Sequence, residues 1–345
     1  MRIFRRRLGL ARLLASVLGL GALYASGSIV RLTATFGHDS VVVETVGAIV
    51  LVLVANWLVG VPFAIASYRR ERAEHLSVQT PASFTGDVLK TLALSLVLAG
   101  AAGVAWYAVA ARSAVVTVIG SIALAALGTL IGPLLLRAFY RLEPVDDALA
   151  RRVRTVAERC GVAVDGVLSW RVSEKATIAN AAVIGLGPTK QVIIADTLAA
   201  GCPPEQLEAV VAHELAHVVH RDTVRGFLVY GGALSVALLL LRLLLEVATP
   251  GGAGDPATFP LLVAGTEIIA LAASPPVLAY SRSREAAADA FAARHVPAIA
   301  LADALVWITQ RNLGDPDPPR WEEALFMTHP SLVVRLRALG VEPTL

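Results

Sequence analysis

Charge is scarce in this sequence. Only 17% of its 345 residues are Asp, Glu, Lys or Arg, against about a quarter in an ordinary soluble domain. Cysteine is scarcer still. Cys160 and Cys202 lie far apart and outside any C-x-x-C spacing, which excludes a disulfide framework and a metal knuckle and fits a reducing compartment. Aromatics make up 6% and lysine is sparse beside arginine. The pI near 9.1 does not indicate nucleic-acid binding, because the arginines flank apolar runs and no strip of interleaved basic and aromatic residues occurs. Internal repeats are missing, which argues against a transporter built on inverted halves. What fills the space is apolar: 56% of residues are hydrophobic and the mean hydropathy is +0.67. A soluble core of this length needs less, so the composition points to an integral membrane protein.

Six runs are long enough to cross a bilayer, at about 20 residues each: 8–30, 41–66, 88–111, 115–136, 226–247 and 260–280. Arginine placement tests that count. Arg2, Arg5, Arg6, Arg7 and Arg12 open the first run, and Arg69, Arg70, Arg72 and Lys90 lie between the second and third. Arg137, Arg141, Arg151, Arg152 and Arg154 follow the fourth, and Arg282 and Arg284 follow the sixth. The alternate loops carry only Arg31, Arg112 and none in 249–258. All basic clusters fall on one side if six spans cross, which makes that side and the N-terminus cytoplasmic. The competing reading of residues 1–28 is a cleaved signal peptide, which would invert the orientation. The spans divide the chain into a membrane region at 1–136, a polar region at 137–224, a two-span hairpin at 225–280 and a polar tail at 281–345.

In the first polar region, 144–160 reads as a helix ended by Gly161. Residues 167–172, 177–184 and 191–195 read as short strands rich in β-branched residues. Pro203-Pro204 opens a further helix, expected to end near Arg221-Asp222. It carries His213-Glu214-Leu215-Ala216-His217. Four residues are about one turn, so the two imidazoles project from one face and can share a zinc ion, with Glu214 placed to act on water. A helix with two exposed histidines is the bland alternative. His220, three residues on, is expected to cap the helix C-terminus. Beyond span six, Glu285 and Asp289 lie one turn apart. Glu285 completes a two-histidine, one-carboxylate set, and Asp289 can hydrogen-bond a ligand histidine. The bland reading of the pair is a solvated face flanked by arginines. Spans five and six as an antiparallel hairpin bring these two sites together at the membrane surface, so substrates arrive as membrane proteins or lipid-anchored peptides. Glu267, inside span six, either faces a polar cavity or pairs with Arg242 of span five.

These residues resemble the CAAX prenyl endopeptidase family of integral-membrane zinc proteases and its bacterial heat-shock relatives. The resemblance rests on Asn180-Ala181, on the strand and turn at 192–198, on the zinc helix with Asp222 after it, on Ser281-Arg282 with Glu285 and Asp289, and on His329-Pro330-Ser331 with Arg335. Residues 75–80 and 87–90 are similar to the loop and helix entry of the prenyl-protease branch. It implies a mainly α, polytopic helical membrane protein with a small α+β zincin-like catalytic domain on the cytoplasmic side. It implies one catalytic Zn2+ bound by His213, His217 and Glu285, with Glu214 as general base and then proton donor. His329 and Arg335 would stabilise the oxyanion or hold the substrate, Asp289 and Asp222 would support the ligand histidines, and the strand at Asn180 and Ala181 would pair with an extended substrate backbone. The sequence departs from that pattern in two places: six spans stand where eukaryotic prenyl proteases have seven, and Ala182 occupies a position usually aromatic. The rival from another class is an inert membrane scaffold or metal sensor that retains the zinc site, against which the intact Glu214 argues.

Overall fold

The computed structural model describes residues 2–34 and 41–342. Helices account for most of it. α1 (Arg2–Ala25), α2 (Ser28–Ala34) and α3 (Val41–Ala73) come first. α4 (Pro81–Leu94) continues through a π-helical turn at Ser95–Ala99 into α5 (Gly100–Ala108), and α6 (Ala114–Phe139) follows. Six helical stretches have the length and composition of membrane spans: Ile3–Ala25, Val41–Ala73, Pro81–Ala108, Ala114–Phe139, Asp222–Ala248 and Pro256–His295. No more than 22% of the most apolar window in any of them is buried. Val115, Leu134 and Leu228 stand at least 65% exposed. Apolar surface of that extent needs lipid around it.

Small and polar residues bring the spans together. Ser121 of α6 bonds Ser235 at 2.7 Å, on the helix of the fifth span, and Gly231 beside it backs onto Ala125. Close backbone approach at small residues is the usual way helices associate where lipid competes for apolar contact. At the far end, Trp106 donates to Ala253 O and Tyr107 bonds Thr258, joining α5 to the loop between spans five and six.

The polar part begins with β1 (Leu142–Pro144), α7 (Asp147–Arg159), β2 (Gly166–Trp170), β3 (Ala181–Ile184) and β4 (Gln191–Ala195). The sheet order is β1-β2-β4-β3, with β2 and β4 parallel and the outer pairs antiparallel. Every residue of β4 from Val192 to Ala195 is buried, as a central strand covered on both faces should be. α8 (Asp196–Gly201) and α9 (Pro204–Val219) follow, then α10 (Asp222–Ala248), α11 (Phe259–His295), α12 (Ala298–Arg311), α13 (Arg320–Phe326) and α14 (Leu332–Ala338). α9 packs against α7, α11, α12 and β3. Leu207, Val211, Ala212, Leu215 and Ala216 on it are buried in one core with Val192, Ile194, Ala288 and Leu301.

Two sequence expectations shift, while the end expected for the motif helix near Arg221-Asp222 holds to within three residues. The strand expected at 177–184 begins only at Ala181; of the four residues before it, Thr177, Ile178 and Ala179 bond to groups outside the sheet and Asn180 O alone reaches β4, through Ala195 N. The helix of the H-E-x-x-H motif stops at Val219. Arg221 then adopts a left-handed conformation (φ 56°) and α10 restarts at Asp222, so α9 and the fifth span are separate helices joined by one sharp turn. The helix that carries the sixth span does not end near residue 280. α11 runs for 37 residues through Pro275-Pro276 into Glu285 and Asp289, so one rod joins membrane and site.

The basic clusters gather at the end that carries the sheet. Arg5 pairs Glu71 at the end of α3, Lys175 pairs Asp87 of α4, and Arg6 pairs Glu322 of α13. Among the described residues Glu267 has no ion pair, and its Oε2 is buried without a partner. Arg242 donates instead to Ala111 O at 3.2 Å, so the pairing of these two expected as one alternative does not form.

Candidate metal centre and active site

α9 presents His213 and His217 from one face, with ring centroids 5.2 Å apart and planes at 87°. Glu285 reaches them from α11: its Oε2 lies 3.2 Å from His213 Nε2 and its Oε1 3.6 Å from His217 Nε2. Donor atoms from all three residues lie within 4.8 Å of one another. Ligands about 2.0–2.1 Å from a tetrahedral ion stand roughly 3.3 Å apart, so the spacing suits one ion. His213 and Glu285 are both only 7% exposed. Glu285 Oε2 is buried without a hydrogen bond, a charged atom that a cation would satisfy.

The opposite ring nitrogens say which way the imidazoles face. His217 Nδ1 lies 2.9 Å from Asp222 Oδ2. His213 Nδ1 lies 2.9 Å from Asp289 Oδ1, an ion-pair contact outside hydrogen-bond geometry. The hydrogen bond at His217 Nδ1 keeps the proton there and leaves the Nε2 lone pair free, the Asp289 charge favours the same tautomer at His213, and both Nε2 atoms lie toward Glu285. Each carboxylate has an arginine behind it. Arg335 holds Asp289 through two bonds of 2.7 Å, and Arg284 holds Asp222 at 2.7 Å. Two His–carboxylate–Arg chains thus converge on one point from opposite sides. Arg335, read from the resemblance as contacting oxyanion or substrate, has two donors committed to Asp289. Arg284 was legible only as a flanking charge, and nothing in its spacing marked it out.

Electrostatics follow the same layout. Burial opposes charging of His213, but Asp289 and Glu285 outweigh it and raise its pKa to about 9. Burial raises the pKa of Glu214 above the ordinary carboxylate range, with His213 and His217 pulling the other way. A carboxyl poised upward is suited to accepting and returning a proton. His220 does not act as a cationic cap. Its backbone ends α9, yet its ring packs edge-on against Phe291, and burial followed by Arg284 lowers its pKa.

His329 arrives on the segment between α13 and α14, its Nε2 3.3 Å from Glu285 Oε2 and its Nδ1 2.7 Å from Thr328 Oγ1. That segment is fixed from two sides. Arg282 of α11 donates to Glu323 O at 2.8 Å and Met327 O at 2.9 Å, closing the C-terminus of α13. Arg6 of α1 pairs Glu322 and lies over the ring of Trp321, 4.7 Å from its centroid. His329 is itself exposed and faces a cleft of about 780 Å³ that it shares with Ala179, Asn180, Asn312, Leu10 of α1 and Leu271 of α11. The cleft therefore extends from His329 and Arg335, beside the carboxylate–histidine cluster, to membrane-span residues. Asn180 is exposed and its Oδ1 accepts from Ala181 N at 2.9 Å, whereas Ala181 is buried.

A His-His-Glu cluster with a free carboxylate beside it, set against a polytopic helical bundle, defines a membrane metalloendopeptidase. Residues 144–342 match the model of peptidase family M48. The chain belongs to that family. It is 29% identical over 284 residues to a protease HtpX homolog of Trichormus variabilis, covering 74% of this chain and 96% of that one. It is 25% identical over 334 residues to a CAAX prenyl protease 1 homolog of Oryza sativa subsp. japonica, covering 87% and 74%. The crystal structure of S. mikatae Ste24p superposes with a TM-score of 0.79 at 20% identity, over 90% of this chain and 79% of that one. These relatives are proteases, and the inert-scaffold reading finds no support among them.

Proposed function

We propose that the protein is a zinc-dependent endopeptidase that hydrolyses membrane-associated or lipid-anchored polypeptides at the cytoplasmic face of the cell membrane. The observation that carries this is the convergence of His213 Nε2 and His217 Nε2 on the Glu285 carboxylate, with His217 held at Nδ1 by Asp222 and Asp289 lying against Nδ1 of His213. Two nitrogens and one carboxylate oxygen with a further position open are the donor set of catalytic zinc. His213, His217 and Glu285 would hold the ion, which when bound supplies Lewis acidity toward a carbonyl oxygen and toward water.

The chain's own groups do the rest. Glu214 removes a proton from the attacking water and returns it to the leaving amine. His329 Nε2 donates to the oxygen on which charge develops. Arg335 keeps Asp289, and through it His213, in register. The strand at Asn180 and Ala181 offers its outer edge, beginning with the Ala181 backbone, to an extended substrate, with the exposed Asn180 side chain beside it. The cytoplasmic placement rests on the basic clusters gathering at the end that carries the sheet. In the same reading, 1–136 and 225–280 are membrane regions and 137–224 with 281–345 make the catalytic unit. Quality control of membrane proteins and processing of one dedicated peptide both fit this site.

Glu214→Gln is expected to retain one zinc per chain and to lose casein cleavage by at least about 100-fold, the scale of a removed general base. Near-normal turnover by the metal-loaded variant would falsify the assignment.

A further inference from the structure

β3 is terminal in the sheet, so its outer side is an edge, which residues 175–180 continue toward the N-terminus. Side parity decides which groups reach it. Asn180 O accepts from Ala195 N and Ile178 O accepts from Thr197 Oγ1, so even-numbered residues turn their polar groups inward to β4 and the turn after it. Odd-numbered residues turn theirs outward.

That outer side is largely filled by the chain itself. Val78 N donates to Lys175 O at 3.0 Å, and Thr177 N donates to Leu76 O at 3.0 Å. Arg311 Nε donates to Thr177 O at 2.9 Å. At Ala179, Asn312 takes both positions: its Oδ1 accepts from Ala179 N at 2.8 Å and its Nδ2 donates to Ala179 O at 3.0 Å. One carboxamide thus makes the two bonds that one residue of a partner strand would make. At Ala181, among the described residues, only the neighbouring Asn180 side chain, itself exposed, covers the N–H. Asn312 is not loosely placed. It ends α12, followed by Leu313 at φ 50° and by Gly314, whose N–H donates to Thr309 O at 2.7 Å. A substrate strand reaching Ala179 would have to break two bonds to make two, with no net gain.

We propose that Asn312 is a specificity-determining stop on the substrate-binding edge. It confines backbone pairing of a bound polypeptide to Ala181 and Val183, so the substrate beyond that window is held without main-chain hydrogen bonds and tolerates N-alkylated residues such as proline there. This rests on the reading that substrates pair with this edge.

The test uses the full-length, zinc-loaded protein in detergent and synthetic peptides spanning a bond it cleaves in casein, each with one backbone amide N-methylated. For the wild type, kcat/KM is expected to fall about tenfold only where the amide pairs with Ala181 or Val183, the loss of roughly one hydrogen bond. Asn312→Ala should add a sensitive amide two residues further along the peptide, where Ala179 O becomes free to accept. Asn312→Asp, which keeps the acceptor for Ala179 N–H but lacks the donor, should do the same and serves if the alanine variant fails to fold. An N-methyl profile identical to wild type in a folded Asn312 variant overturns the stop. A wild-type profile with no sensitive amide at all overturns edge pairing itself, and the stop with it.

Discussion

At the residue scale, the centre works because its histidines are held from behind. An imidazole with an unconstrained ring can present either nitrogen to a ligand; here Asp222 removes that freedom for His217 by a hydrogen bond, and the charge of Asp289 against Nδ1 biases His213 the same way. Asp289→Ala should leave the three donor residues in place yet weaken zinc binding by about 10–100-fold, as loss of such a support does elsewhere, measured by chelator competition. His220→Ala should leave zinc affinity unchanged, because its ring packs on Phe291 outside the cluster. Equal affinities for Asp289→Ala and wild type would show that packing alone orients His213. His213, Glu214, His217 and Glu285 could be singled out from spacing. The arginines behind Asp289 and Asp222 could not, because Arg284 and Arg335 meet their carboxylates 62 and 46 residues away.

At the element scale, the turn at Arg221 deserves a physical account. The motif helix is expected to end near Arg221-Asp222, although no proline or glycine stands there to stop it. The break is instead a left-handed Arg221, which costs about 1–2 kcal/mol for a residue with a Cβ. The bonds of Val224 N and Arg225 N to Arg221 O, together with Asp222 bound to both His217 and Arg284, keep it. Arg221→Gly should melt within about 1 kcal/mol of wild type, relief of strain being offset by a freer unfolded chain. Arg221→Val should be less stable than the glycine variant by roughly 1–2 kcal/mol. Identical melting of the two would mean that the turn carries no strain. The same long-range dependence shapes the 177–180 stretch. Its β-branched and apolar composition reads as strand, but Arg311 and Asn312 supply its outer partners, and side chains arriving from α12 have no local signature.

At the scale of the whole molecule, metal, protons and fold are linked. In the metal-free protein His213 has a pKa of about 9, above the unfolded value of about 6.5. Its proton therefore stabilises the fold fully below about pH 6.5, and that contribution is lost as pH rises through about 9. A bound cation replaces the proton at the same carboxylate. Chelator-treated protein is accordingly expected to lose melting temperature between pH 6.5 and 9, and the rise in melting temperature on adding zinc should be larger at pH 9 than at pH 6.5. A zinc-induced rise that is flat or shrinks toward pH 9 would break the link. α11 ties this centre to the bilayer, because one helix carries both a membrane span and Glu285.

Local chemistry alone determined a good deal: six apolar runs, a basic side, a helix with two histidines one turn apart, and a carboxylate pair after the last span. Each is written in spacing or hydropathy, which need no partner to be read. Tertiary structure decided which way the imidazoles turn, how the motif helix ends and what occupies the sheet edge before Ala181. It also placed His329 against Glu285, by clamping α13 between Arg6 and Arg282. Those outcomes depend on hydrogen bonds and ion pairs between residues tens to hundreds apart, and their energies exist only once the helices have packed.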